Sequence, residues 1–162
     1  MPFTLPRRRM LQTLTAAPLA LTAAAAGGRP VLARRQTSGD AIGPLDPAVL
    51  PTGIRSRFVD GVNGLRVHVL EAGHEQGGRP GLFLLHGFPE LAYSWRHVMV
   101  PLADAGYHVV APDMRGYGRT TGWDDDYDTD LLPWRRLNLV RDVLGLVHAF
   151  GYRSVQVVGH DF

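Results

Sequence analysis

Residues 56–162 predict an α/β fold: an N-terminal hairpin followed by a mostly parallel sheet with flanking helices. Three observations carry that expectation. Asn63-Gly64 separates two runs with strand-like patterning, and Asn-Gly at such a junction is a strong signal for a two-residue type I′ turn. Short apolar runs then recur at Leu82-Phe83-Leu84-Leu85, His108-Val109-Val110-Ala111 and Ser154 to Val158. Between them lie stretches whose apolar residues repeat at helical spacing. Hairpin, then β-α-β-α-β, builds parallel strands through crossover helices.

The alternation Leu65, Val67, Val69 against Arg66, His68, Leu70 marks the second hairpin strand. Leu82 to Leu85 is apolar throughout, as in a strand covered on both faces. A helix is predicted from Ser94 to Ala105, packing through Trp95, Val98, Met99 and Leu102 and stopped by Gly106. Pro101 should kink it or divide it into shorter pieces. The clearest helix runs from Arg135 to Phe150, with Leu137, Val140, Leu144 and Val147 as its apolar ridge and Gly151 as its stop.

Residues 27–55, rich in Gly, Pro, Arg and Ser, read as a linker and lead-in segment. Residues 1–26 combine Arg7-Arg8-Arg9 with a short Ala/Leu/Thr-rich run, the parts of a secretory signal. That run falls short of the ~20 apolar residues of a membrane span, so no stable membrane anchor is expected. Arg7-Arg8-Arg9-Met10-Leu11-Gln12 resembles a twin-arginine signal, with Met10 and Gln12 replacing the usual Phe and Lys. Cleavage after Ala26 or Ala33 would give an exported, periplasmic or extracellular protein; a plain Arg/Ala-rich tail would leave it cytoplasmic. All 17 basic residues are arginines, and beyond residue 26 there are 14 of them against 15 acidic residues. The net positive charge therefore belongs partly to the leader, and no nucleic-acid partner is indicated. With no cysteine, a disulfide framework and a thiolate zinc site are excluded. Asp124, Asp126 and Asp128 have the alternation of an EF-hand, but Thr129 stands where that loop needs Gly and Arg135 where it needs Glu. A solvated loop is the better reading, and neither metal nor cofactor is expected.

The last strand runs directly into Gly159-His160-Asp161-Phe162. A small residue two positions before an acidic one, at a strand end, suits a sharp strand-to-helix turn where a Cβ at 159 would clash. An aspartate there also suits the cap of a following helix. Upstream, His86-Gly87-Phe88-Pro89-Glu90 closes the preceding buried strand, and His86 reads as a loop-organising residue. Asp113 reads as a turn-stabilising residue bonded to Arg115 or to a backbone N–H.

These segments together resemble the epoxide-hydrolase branch of the α/β-hydrolases. Leu85 to Glu90 with Tyr93-Ser94-Trp95-Arg96, then Pro112 to Gly118, then Gly159-His160-Asp161 match it in order and spacing from Arg57 to Phe162. The resemblance implies a partial α/β-hydrolase fold. Asp161 would be the nucleophile that forms an alkyl ester with an epoxide or related electrophile. The backbone N–H groups of Phe88 and Phe162 would form the oxyanion hole, with His86, Gly87, Pro89, Gly159 and His160 in support. The catalytic acid, histidine and cap residues are expected downstream of residue 162, leaving an incomplete, inactive fragment whose Val155, Val157 and Val158 form part of an open apolar edge. Phe162 departs from the Trp usual after the nucleophile. Because neither Phe88 nor Phe162 has a side-chain donor for a leaving halide, a haloalkane or haloacid dehalogenase is the alternative. A second alternative is a non-catalytic product that associates with another chain.

Overall fold

The computed structural model describes residues 42–124 and 126–160; the leader, Asp125, Asp161 and Phe162 lie outside the described residues. Five strands form one mixed sheet: β1 (Ile54–Val62), β2 (Leu65–Ala72), β3 (Gly81–Leu85), β4 (His108–Pro112) and β5 (Val155–Gly159). Their spatial order is β1-β2-β4-β3-β5. The hairpin β1–β2 and the pair β2–β4 are antiparallel, whereas β4–β3 and β3–β5 are parallel. Asn63 (φ 50°) and Gly64 (φ 82°) both occupy the left-handed region that a type I′ turn requires.

The two crossover helices lie on opposite faces. Helix α1 (Arg96–Asp104) places Met99 and Ala103 against Leu70, Leu82, Leu84 and Val109. Helix α2 (Arg136–Ala149) places Leu146 against Val67, Val69, Phe83 and Val110. Alternation along each strand sends neighbouring residues to opposite faces, so Leu82 and Phe83 serve different cores. The connection after β3 leaves towards one face and that after β4 towards the other. Their carboxyl ends consequently flank the crevice where open α/β sheets hold ligands.

Three expectations need correction. The described part of the lead-in, residues 42–55, belongs to the fold: β1 begins at Ile54, Leu45 and Leu50 pack on the core, and the Leu45 N–H bonds Ser56 Oγ at 2.8 Å. The α1 region divides into a 3-10 turn, Ala92–Trp95, and a nine-residue helix that continues through Pro101, with Val98 on its exposed side. On α2, Leu137, Val140 and Leu144 are exposed, and the buried face carries Asp142 and Leu146 instead. A second series, Leu139-Val143-Leu146-Phe150, has equally good helical spacing. It turns inward because Asp142 belongs with it and meets Arg115 through two hydrogen bonds of 2.8 and 2.7 Å and Asn63 at 2.6 Å. At the edge of the sheet, β5 leaves Val157 and Val158 exposed. No helix among the described residues is long and apolar enough to cross a membrane.

Strand β2 is buried on both faces, so its polar residues need internal partners. Glu71 receives Arg55 at 2.6 Å and also Arg57, while His108 Nε2 stands 3.4 Å away. Burial alone would raise the Glu71 pKa, but His108, Arg55 and Arg57 outweigh it and hold the carboxyl at about 2. A depressed carboxyl stabilises the folded state fully above its unfolded pKa of ~4.3, and that stabilisation is lost as pH falls towards 2. Thermal midpoints measured from pH 5 to pH 2 should fall across that window. In Glu71→Gln the fall should be shallower, from a lower midpoint at pH 7.

Candidate functional site

The carboxyl ends of β3 and β5 meet in register, with Leu85 opposite Gly159 and the His160 N–H donating to Leu85 O at 3.0 Å. That pairing brings His86, Gly87 and Phe88 alongside Gly159 and His160. Asp161 and Phe162 follow directly in sequence, outside the described residues. His86 is buried, and both its ring nitrogens are occupied. Nδ1–H donates to Gly87 O at 2.9 Å, while Nε2 accepts the Met114 N–H at 2.9 Å. The ring thereby ties the loop after β3 to the loop after β4. The Glu90 N–H closes a turn onto Gly87 O, and the Phe88–Pro89 peptide is cis. Phe88 is 65% exposed, and its N–H has no acceptor among the described residues. His160 is exposed, its Nδ1 3.4 Å from Glu90 Oε2. No described atom lies within 4 Å of a Cβ built on Gly159.

Asp113, directly after β4, takes the backbone N–H groups expected of a turn-stabilising residue and, beyond them, the His68 ring. Oδ1 accepts the Ala92 N–H at 2.9 Å; Oδ2 accepts the Arg119 N–H at 2.9 Å and His68 Nδ1 at 2.8 Å. Burial works against its charge, but these donors lower its pKa overall. Arg115 is not among them, being committed to Asp142. His68 Nε2 lies 2.7 Å from Ser56 Oγ, giving a Ser56–His68–Asp113 series with the hydrogen-bond order of a nucleophilic relay. His68 is only 1% exposed and both its ring nitrogens are bonded, so the series serves structure. Only the adjacent Thr120, which receives the His68 N–H and donates to Asp113 O, completes the picture of a fully satisfied buried network.

The acidic loop uses its own carboxylates. Asp124 accepts the Asp126 N–H and Thr129 Oγ1, Asp126 accepts the Asp128 N–H, and Asp130 accepts the Leu132 N–H. These are local turns that hold the loop together.

A family model described as alpha/beta hydrolase fold matches residues 80–162. Epoxide hydrolase A of Mycobacterium tuberculosis is 47% identical over 108 residues, covering 65% of this chain and 30% of that protein. The AB hydrolase superfamily protein YfhM of Bacillus subtilis is 41% identical over 110 residues, 68% of this chain and 36% of that protein. Among solved structures, epoxide hydrolase A from Mycobacterium thermoresistibile matches with a TM-score of 0.59 at 42% identity, covering 67% of this chain and 31% of that one. The chain thus spans about a third of the length of the relatives it matches.

The Asp113 network leaves no room at Gly118. Gly118 has φ 54°, and a Cβ there would overlap the Asp113 carboxylate. Gly118→Ala should destabilise the fold by about 2–4 kcal/mol, the sum of backbone strain and a displaced buried carboxylate. Urea denaturation checks this, with Gly61→Ala as the comparison, where no described atom meets the added Cβ.

Proposed function

The chain belongs to the α/β-hydrolase fold family, and within it we propose that these residues form the nucleophile-bearing part of an epoxide hydrolase acting on a small-molecule epoxide. The observation that carries this reading is the register of β3 with β5. It sets the strand end that precedes Asp161 beside the loop bearing Phe88, whose N–H has no acceptor among the described residues. The epoxide-hydrolase relatives support the same reading.

In the proposed reaction the Asp161 carboxylate attacks an epoxide carbon, the C–O bond opens, and the alkoxide takes a proton to give a hydroxyalkyl ester. Water, activated by a histidine, then adds to the ester carbonyl. The N–H groups of Phe88 and Phe162 stabilise the resulting oxyanion, where one such donor is typically worth about 10²–10³ in rate. His68 and His86 have both ring nitrogens bonded and are buried, so neither serves as the base of the second step. We assign that role to another group. Isotope placement tests the covalent route in a preparation that turns over epoxide. A single turnover in ¹⁸O-water with enzyme in excess should give unlabelled diol and a labelled Asp161 peptide. Asp161→Asn should initially be inactive. Labelled diol in the first turnover, or full activity in Asp161→Ala, would overturn the assignment.

We also propose export through the leader. Replacing Arg7 and Arg8 together by Lys should hold a leader-reporter fusion in the cytoplasm, and unchanged fractionation would refute a twin-arginine route.

A further inference from the structure

On the β2–β4 side of the crevice lies a cavity of about 240 Å³, lined by Leu45, Val49, Leu91, Tyr93, His68, Asp113 and Arg119. None of His86, Gly87, Phe88 or His160 borders it, so it is separate from the loop pair described above. Its walls come from two segments, the lead-in with Leu45 and Val49 and the loop after β3 with Leu91 and Tyr93. The Tyr93 hydroxyl, which donates to Val49 O at 3.0 Å, straps these walls together.

The polar groups of the floor are already committed. Asp113 accepts three N–H groups, and both nitrogens of His68 are bonded. A ligand offering several hydrogen-bond groups would find no partners there and would lose its hydration. Arg119 is the exception. Its backbone N–H holds Asp113, and its Nε donates to Gly43 O at 3.2 Å, but its two terminal nitrogens donate to no described residue. The cavity therefore offers a mostly apolar lining and, among the described residues, one cation, Arg119, whose terminal nitrogens have no described acceptor, a chemistry suited to one carboxylate. Its volume equals that of roughly eight waters at ~30 Å³ each, smaller than the ~300–1,000 Å³ of drug-sized sites.

We propose that this cavity binds a short-chain monocarboxylate, the alkyl tail lying between Leu45, Val49, Leu91 and Tyr93 and the carboxylate resting on Arg119. The proposal is independent of the epoxide reading, since it asks only for binding.

Hexanoate is the probe, titrated into methyl-labelled chain and followed by NMR. The Leu45, Val49 and Leu91 methyl signals should shift saturably with roughly millimolar affinity, as expected for a ligand of this size. Neutral hexanamide and hexylammonium should bind at least about tenfold more weakly, the usual worth of a charge-assisted hydrogen bond. Arg119→Gln should lose hexanoate binding by a similar factor, and Arg119→Lys, which keeps the charge and loses the donor pair, should fall between the two. Leu91→Trp, which fills the cavity and leaves the cation in place, should abolish it. Absence of a saturable shift up to roughly 20 mM would show a merely water-filled space and overturn the proposal. Equal binding of hexanamide, undiminished binding by Arg119→Gln, or shifts confined to the methyls of Val157 and Val158 beside the loop pair would overturn it as well.

Discussion

Asp113 is a buried carboxylate at the end of β4, and burial forces it to find its donors in three separate chain segments. It draws one N–H from Ala92, where the chain turns towards α1, one from Arg119 in the loop after β4, and the imidazole of His68 on β2. An unpaired buried carboxylate would cost several kcal/mol, so these donors cannot wander independently. The loop that carries Phe88 is consequently anchored at its far end, four residues on, while His86 anchors its near end to Met114. Two side chains, one on each of the neighbouring strands β3 and β4, thus fix a loop that would otherwise have only its turn hydrogen bond to hold it.

The opposite end of the sheet is held by different means. Glu71, three residues along β2 from His68, points to the other face and gathers Arg55, Arg57 and His108. Arg57 lies over the Phe150 ring at 4.8 Å, and His108 bonds the Tyr152 hydroxyl at 2.7 Å. The end of α2 and the start of β5 are thereby brought against the hairpin. Strand β2 therefore supplies one buried polar residue to each face, and each closes a different layer of the fold. The arginines around Glu71 are partly exposed, which lets the pair be solvated. The Asp113 network is sealed and relies on backbone donors instead.

Strand positions, the hairpin turn and the crossover order were legible because each rests on local signals: Asn63-Gly64, uninterrupted apolar runs, and helical spacing bounded by glycine. The packed face of α2 was not. Leu137-Val140-Leu144 and Leu139-Val143-Leu146 both satisfy the helical period, and the choice depends on Asp142 meeting Arg115 and Asn63, which are 27 and 79 residues away in sequence. The candidate site divides in the same way. The short motifs ending β3 and β5 can be found in sequence because they lie next to strands. His68, Ser56 and Arg119 cannot, because nothing in their neighbourhoods distinguishes them from surface polar residues until the sheet assembles around them. A buried strand with polar residues on both faces was the one available sign, and the alternation of Leu65, Val67 and Val69 with Arg66 and His68 disguised it as half-exposed.

This dependence on pairing bears on how the proposed chemistry tolerates substitution. The proposed oxyanion donors are backbone N–H groups, and a backbone donor is indifferent to the side chain it carries so long as the strand ends stay in register. In the proposed reaction, phenylalanine at 162 would keep that backbone donor and lack only the indole N–H of the tryptophan that the resemblance implies there. An epoxide carries its leaving oxygen within the same molecule and needs a proton delivered to it, not a cradle of side-chain donors for a departing halide. Loss of the indole is therefore costly to halide release and neutral to ester formation and hydrolysis. The same reasoning separates the two supports of the Phe88 loop from its chemistry. His86 and Asp113 act through where they hold the main chain, so in the proposed reaction the choice of electrophile would fall to side chains around the site and not to the anchors themselves.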